Sequence, residues 1–128
     1  MGNYFQKEIE CASPDQIRAW QSERLVKQVK NIYDNVPYYR TRMQNKGLEP
    51  GDIKSIDDLH KLPFITKDDL RDAYPYGLLA RPLKDCVRMQ STSGTTGRRV
   101  VAFYTQHDLD LWEDCCARAI VAAGGTKE

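Results

Sequence analysis

The residues best suited to chemistry lie in one short stretch, QSTSGTTGRRV, which spans residues 90–100. Residues 91–97 contain five hydroxyl side chains and two glycines, and Arg98 and Arg99 follow directly. Glycines let backbone N–H groups approach an anion closely, hydroxyls add hydrogen-bond donors, and arginines supply positive charge. This combination predicts a loop that binds phosphate groups.

A simple polar turn is the competing interpretation, because Gly, Ser and Thr are all common in turns. Tight hairpin turns, however, favour Asn-Gly or Asp-Gly, whereas this stretch concentrates Ser and Thr around Gly94. The familiar phosphate-binding motifs also differ from it. Only two residues separate Gly94 from Gly97 and no lysine follows, which excludes the Walker A pattern GxxxxGK, and the GxG start of the dinucleotide fingerprint is missing.

The residues on either side predict that this loop joins two strands. A short strand is expected over residues 86–90 and a stronger one over 98–105, RRVVAFYT, which is rich in β-branched and aromatic residues. Thr105 should cap a final helix with Asp108 three residues on, and Gly124 and Gly125 should end it. The apolar face of this helix is expected to consist of Leu109, Trp112, Cys116, Ala119, Ile120 and Ala123.

The region before the hairpin predicts a series of short amphipathic helices. Ser13, Pro14 and Gln16 together make a helix start with a capping box, and the helix should stop at Val36 because a proline follows. Its apolar positions recur at helical spacing: Ile17, Trp20, Leu25, Val29, Ile32 and Val36. A second helix is expected over 38–46, ended by Gly47.

Two further helical pieces are predicted after residue 50. Ser55 and Thr66 should cap them, with Asp58 and Asp69 three residues on. The mixed-charge run at 67–72 is interpreted as a solvated helix face. Both tryptophans are interpreted as core residues and both histidines as surface residues. The four cysteines fit no zinc spacing and are expected to be reduced: Cys11, Cys86, Cys115 and Cys116.

Composition limits the classes of function. The chain has 128 residues, 41% of them hydrophobic and 29% charged, with a formal net charge of +1. Neither half has an excess of charge, which argues against a large nucleic-acid footprint. No apolar stretch is long enough to span a bilayer and no secretion signal is present, so a cytoplasmic location is expected.

The order TSGTTGR, residues 92–98, closely resembles the phosphate-binding loop of the adenylate-forming superfamily. Five fixed residues at about 6% usage each give on the order of one chance match per million windows. The flanks VPYYRTRM, LPFITKDDLRDAYPYGLLA and VVAFYTQHDLDLWEDCCARAIVAAG look like the N-terminal region of the phenylacetate–CoA ligase branch. That family usually has Lys-Pro after the second glycine, where this chain has Arg98 and Arg99.

The resemblance implies a predominantly helical α/β fragment that forms the first part of the adenylate-forming enzyme fold. Residues 1–84 would be an N-terminal helical region. Residues 85–128 would begin the nucleotide-binding α/β subdomain as a strand, the phosphate loop, a second strand and a helix. The phosphate-binding residues it implies are Ser91, Thr92, Ser93, Gly94, Thr95, Thr96, Gly97 and Arg98. It places no catalytic residue and no metal ligand in this chain.

The implied parent enzyme is an AMP-forming acid–thiol ligase. A carboxylate, such as an arylacetic acid, attacks the α-phosphorus of ATP, pyrophosphate leaves, and the thiol of coenzyme A then displaces AMP. ATP, Mg²⁺ and coenzyme A are thus expected in the full-length enzyme, with the Mg²⁺ ligands outside this chain. Small molecules rather than nucleic acid or membrane are the expected partners, a homodimer is compatible with the resemblance, and the fragment alone is expected to be inactive.

Two other classes of function remain open from the residues alone. The chain could be a non-enzymatic helical interaction module with an exposed Gly/Ser/Thr loop. It could also bind RNA or DNA through Arg88, Arg98 and Arg99, although the near-zero net charge argues against this.

Overall fold

A computed structural model describes residues 3–94, 97 and 99–126. Its helices are α1 (Lys7–Glu10), α2 (Pro14–Asn35), α3 (Pro37–Asn45), α4 (Lys67–Asp72) and α5 (Gln106–Ala122). Its strands are β1 (Cys86–Ser91) and β2 (Val101–Thr105), and 3-10 turns lie at Pro50–Asp52, Ile56–Lys61 and Leu83–Asp85. The described part of the chain is therefore mostly helical with one two-stranded sheet, which confirms the predicted helices followed by a hairpin and a last helix.

The start and end of α2 follow directly from its sequence. The Ser13 hydroxyl accepts a hydrogen bond from the Gln16 backbone at 3.2 Å, and the Gln16 side chain accepts one from the Ser13 backbone at 3.0 Å. At the other end Val36 is extended, with φ −117° and ψ 93°, because Pro37 excludes the helical conformation for the residue before it. Both predicted boundaries of this helix are confirmed.

The core lies between α2, α3 and the turn after α3. Its fully buried side chains are Val29, Met43 and Ile53. Half-buried apolar residues surround them, namely Leu25, Tyr33, Tyr39, Leu48 and Leu62. A buried methionine suits this irregular junction, because its flexible side chain adapts to gaps between short elements.

The predicted apolar face of α2 is only partly buried. Val29 and Val36 are buried, but Ile17 is 39% exposed and Trp20 is 37% exposed. The expectation that both tryptophans are core residues is wrong, because Trp112 is also 43% exposed. Helical periodicity identifies an apolar face, but whether another element covers that face depends on the tertiary arrangement.

Asp69 links α3 to α4. One of its carboxylate oxygens accepts a hydrogen bond from the Tyr38 hydroxyl at 2.5 Å and pairs with the Arg42 guanidinium at 2.8 Å. The other accepts from the backbone and the hydroxyl of Thr66, at 2.7 and 2.8 Å. The Tyr38 hydroxyl, the Thr66 donors and Arg42 together hold the Asp69 pKa well below its usual range. The solvated-face interpretation of residues 67–72 is therefore wrong for Asp69, whose side chain is only 17% exposed.

Asp69→Asn is expected to destabilise the protein at neutral pH, because it removes the charge that Arg42 and Tyr38 contact. A carboxyl with a lowered folded-state pKa stabilises the fold above the ordinary aspartate pKa of about 3.9, and this contribution is lost as the pH falls below it. Urea unfolding midpoints of wild type and variant should therefore differ most above about pH 5, and the difference should shrink steadily as the pH falls below about 4.

Asp68→Asn is the matched control, because Asp68 is the neighbouring residue and its side chain is 82% exposed. An exposed ion pair contributes little to stability. Equal midpoints for the two variants at pH 7 would contradict the role assigned to Asp69.

Candidate functional site

The candidate site is the tip of the antiparallel hairpin formed by β1 and β2. Pairing runs from Arg88 opposite Tyr104 to Ser91 opposite Val101, with an irregularity between Cys86 and Arg88. The predicted hairpin is thus confirmed. The second strand, however, begins at Val101 and not at residue 98 as predicted.

The Thr92 side chain explains why the strand pairing ends at Ser91. The Thr92 backbone N–H donates to the Val100 carbonyl at 3.0 Å, as in a regular ladder. The Val100 N–H, in contrast, donates to the Thr92 hydroxyl oxygen at 3.1 Å and not to a backbone carbonyl. This side-chain bond closes the hairpin neck and allows the residues beyond it to leave the sheet.

The two loop glycines adopt conformations that favour glycine. Gly94 has φ 71° and Gly97 has φ 131°, and both values lie where a side chain causes strain. The Gly97 N–H donates to the Gly94 carbonyl at 3.3 Å, which makes a turn inside the loop. A Cβ atom on Gly94 would also lie only 2.6 Å from Cγ of Arg99. Glycine is therefore favoured at residue 94 for two reasons, the positive φ of the backbone and the space that the Arg99 side chain occupies.

The hydroxyl groups at the hairpin tip face solvent. Ser91, Thr92 and Ser93 are all exposed. Thr92 accepts the hydrogen bond from Val100, and its own proton is still free to reach an anion. Within the described residues, the hydroxyls of Ser91 and Ser93 make no hydrogen bond to other protein groups. They can therefore donate to an oxyanion without breaking an internal bond.

The structure places five of the eight predicted phosphate-binding residues in this hairpin tip: Ser91, Thr92, Ser93, Gly94 and Gly97. The other three, Thr95, Thr96 and Arg98, lie outside the described residues.

Sequence reasoning missed the aromatic residues on the two faces of β2. Phe103 contacts Tyr76 with ring centroids 5.5 Å apart, and Tyr104 contacts Trp112 at 5.6 Å. Because successive residues of a strand point to opposite faces, each face of the hairpin carries one aromatic pair. The strand alternation in VAFYT carried the signal for this arrangement.

A shallow depression of about 360 Å³ lies beside these residues, lined by Phe103, Tyr104, Asp108, Leu111 and Trp112. The predicted apolar face of α5 is mostly uncovered. Leu109 is buried at 7% exposure, but Ile120 is 60% exposed. The expected end of α5 is confirmed, since the helix stops at Ala122 and Gly124 has φ 97°.

The N-terminus of α5 is already capped. The Thr105 hydroxyl accepts from the Asp108 backbone at 3.3 Å, and the Asp108 carboxylate accepts from the Thr105 backbone at 2.8 Å. The bond from the Thr105 N–H, and a second one that the Thr105 hydroxyl donates to the same carboxylate at 2.7 Å, lower the Asp108 pKa. A carboxylate at this helix start would repel a phosphate, so anion binding at the hairpin has to come from the loop.

Across residues 3–94, 97 and 99–126, no cluster of three or more His, Cys, Asp or Glu could hold a metal ion. Within the same residues, no helix is long and apolar enough to cross a bilayer. All four cysteines are free thiols, as expected: Cys11, Cys86, Cys115 and Cys116.

Sequence comparison identifies curated relatives that match nearly the whole chain. The phenylacetate-coenzyme A ligase of Pseudomonas putida is 49% identical over 119 residues, which are 93% of this chain and 27% of that protein. The enzymes of the same name from Aromatoleum evansii and Thermus thermophilus are 49% and 40% identical over 91% and 94% of this chain. The chain spans about a quarter of the length of these relatives. No protein-family profile matches it.

Solved structures share the fold. A 2-hydroxyisobutyryl-CoA ligase in the postadenylation state, in complex with R3-HIB-AMP, matches 95% of this chain with a TM-score of 0.84 and 21% identity. The same ligase with 2-HIB-AMP and CoA, in the thioesterification state, matches 86% with a TM-score of 0.76 and 24% identity. These matches cover 26% and 24% of the ligase chains. Together with the sequence relatives, they confirm the predicted resemblance.

Gly94→Ala is expected to reduce the free energy of unfolding by about 1 kcal/mol, because a left-handed conformation is unfavourable for alanine and its Cβ would meet Arg99. Gly51→Ala is the control, since Gly51 does not have a positive φ and a Cβ there would meet no described atom within 4 Å. Urea unfolding followed by circular dichroism measures both. An equal change in the two variants would show that the Gly94 conformation imposes no such constraint.

Proposed function

We propose that this chain, a relative of the phenylacetate–CoA ligase family, provides the loop that holds the β- and γ-phosphates of ATP in an AMP-forming acid–thiol ligase. The observation that carries the proposal is the hairpin tip itself, where the exposed hydroxyls of Ser91, Thr92 and Ser93 lead into two glycines with positive φ, Gly94 and Gly97. Relatives of 40–49% identity with that activity in their names support it.

In the proposed reaction the loop acts on the leaving group. A carboxylate forms a bond to the α-phosphorus of ATP while the bond to the β-phosphate oxygen breaks and pyrophosphate leaves. The hydroxyls of Thr92 and Ser93 and nearby backbone N–H groups would donate to the β- and γ-phosphate oxygens. Hydrogen-bond donors held in place around the phosphates position the nucleotide for attack. They also stabilise the negative charge that builds up on the pyrophosphate as it leaves.

Arg98 would add a positive charge and a planar pair of donors at the exit of the loop, in place of the lysine that the family usually has. Thr95 and Thr96 would contribute further hydroxyls. No general base is needed for the first step, because an arylacetic acid with a pKa of about 4 is ionised at pH 7.

The two remaining cofactors would act elsewhere. The described residues do not fit a magnesium site, because they contain no cluster of carboxylates or histidines that could hold a metal. Coenzyme A would react after adenylation, when its thiol sulfur bonds to the acyl carbon and AMP leaves. We assign neither the Mg²⁺ ligands nor the coenzyme A site to residues of this chain.

We also propose a division of the chain near residue 84. Helix α2 packs against α3 and the first two 3-10 turns, whereas β2 packs against β1 and α5. The ring contact of Tyr76 with Phe103 and a 2.9 Å hydrogen bond from Arg118 to Gln6 join the two parts. Residues 1–84 would then be a helical region and 85–128 the beginning of the nucleotide-binding subdomain.

The substrate proposed for the whole enzyme is an arylacetic acid, with phenylacetate as the first to test because it is named in the relatives. Indoleacetate, other arylacetates and benzoates are the alternatives. A homodimer is also compatible with the family resemblance.

A chimera tests the proposed function. The 128 residues of this chain would replace the matching segment of the Pseudomonas putida enzyme, with which they are 49% identical. The chimera is expected to catalyse phenylacetate-dependent exchange of pyrophosphate into ATP. A folded chimera that binds phenylacetate but shows no exchange would contradict the proposal.

In the same chimera, Arg98→Ala should slow exchange by about tenfold to a hundredfold, since losing a charge-assisted bond to phosphate costs about 1.5–3 kcal/mol. Arg88→Ala is the control, because Arg88 is an exposed arginine on β1 outside the loop. Unchanged kinetics in Arg98→Ala would remove Arg98 from the site.

The 128-residue chain alone is expected to give no pyrophosphate exchange above a blank without protein. One phosphate loop does not align a carboxylate with the α-phosphorus, and misplacement by an ångström already costs about a hundredfold in rate. The assay would use purified chain, phenylacetate and Mg²⁺. Exchange that disappears in a Gly94→Val variant would show that this chain holds more of the catalytic machinery than proposed.

A further inference from the structure

Arg99 folds back onto the loop that precedes it. A Cβ atom placed on Gly94 would lie 2.6 Å from Arg99 Cγ and 3.4 Å from Arg99 Nε. The aliphatic part of the arginine therefore occupies the space that a side chain at residue 94 would fill. Arg99 Nε, the first nitrogen of the guanidinium group, therefore lies beside Gly94.

The charge of Arg99 is not neutralised by a described carboxylate. Within the described residues, ion pairs engage other basic side chains, namely Arg18, Lys27, Lys30, Arg42, Lys61 and Arg71, and none engages Arg99. The sequence explains this, because residues 86–107 contain three arginines and no Asp or Glu. An exposed cation in an acid-free segment is available to an external anion.

We propose that Arg99 is a second cationic ligand of the phosphate loop and binds the terminal phosphates of a nucleotide, or inorganic polyphosphate, together with the hydroxyls at the hairpin tip. This inference rests on the proposed function of the loop and adds a residue to it. Arginine binds phosphate oxygens through a planar pair of N–H donors. Packing of its stem on Gly94 restricts the side chain before the anion arrives, which reduces the entropy lost on binding.

The residue type at 99 distinguishes this chain from the family pattern that its loop resembles, in which proline follows the basic residue. A proline would fix the backbone but could donate no hydrogen bond and carry no charge. Arg99 instead combines a packing contact at Gly94 with a cation. The anion site of this chain is therefore expected to depend on two adjacent arginines.

The test is a titration of the 128-residue chain with sodium tripolyphosphate, followed by amide chemical shifts at several salt concentrations. Wild type is expected to bind weakly, with Kd on the order of 1 mM. Arg99→Gln keeps most of the aliphatic stem but removes the charge, and it should weaken binding by about five- to tenfold and reduce the salt dependence. Arg99→Lys should retain binding within about threefold of wild type, because it keeps the charge.

Arg88→Gln is the matched control, since it removes the same charge from a residue three positions before Ser91, about 10 Å along the strand. Its affinity should stay within about twofold of wild type. If Arg99→Gln binds as well as Arg88→Gln, or if Arg99→Lys binds as weakly as Arg99→Gln, the role of Arg99 is overturned while the phosphate loop stands. If wild type shows no loop shifts at 20-fold the expected Kd, roughly 20 mM, the proposed loop function fails as well.

Discussion

The hydrogen bond from the Val100 N–H to the Thr92 hydroxyl is the constraint on which the candidate site depends. It replaces a backbone acceptor with a side-chain acceptor, so the ladder between β1 and β2 ends at Ser91 and Val101. The neck nevertheless stays closed, because the Thr92 N–H still donates to the Val100 carbonyl. The chain between these two positions leaves the sheet, and both of its ends are held by the paired strands. Such a loop can present donors in a reproducible arrangement.

Charge is distributed unevenly around this loop. Six ion pairs are formed within the described residues, and all of them lie before the hairpin, where acidic and basic residues alternate. From residue 86 to residue 107 the acidic residues are missing from the sequence. In the helical part, ion pairs between neighbouring side chains cancel much of the electrostatic field. Among the described residues, the arginines near the loop have no such partners, so the local positive potential is stronger there than in the helical part. The net charge of +1 conceals this local asymmetry.

Several large apolar side chains of the hairpin and α5 are exposed. Val87, Met89 and Ile120 are 58%, 64% and 60% exposed, while the Tyr76–Phe103 and Tyr104–Trp112 contacts cover each face of the hairpin only in part. A two-stranded sheet has little stability of its own and gains it from packing. The buried Leu109 and these two aromatic contacts are therefore important for keeping the loop in place.

The sequence by itself determined the features that depend on neighbouring residues in the chain. These features involve contacts between residues a few positions apart, so the types of those residues decide whether they form. They are the capping boxes at Ser13, Thr66 and Thr105, the helix stop before Pro37 and the turn at Gly94. The resemblance to the ligase family could also be recognised from the sequence, because the loop motif that carries it, residues 92–98, is contiguous.

Only the tertiary structure decided which apolar and charged residues are covered. Trp20 and Trp112 satisfy the helical period yet remain exposed, because no periodic pattern specifies the element that lies opposite. Asp69 looked like part of a solvated face, but Tyr38 and Arg42 reach it from about 30 residues earlier in the chain. The contact of Arg99 with Gly94 likewise depends on how the loop folds back on itself. Burial and pairing are properties of distances in space, and separation along the chain does not determine them.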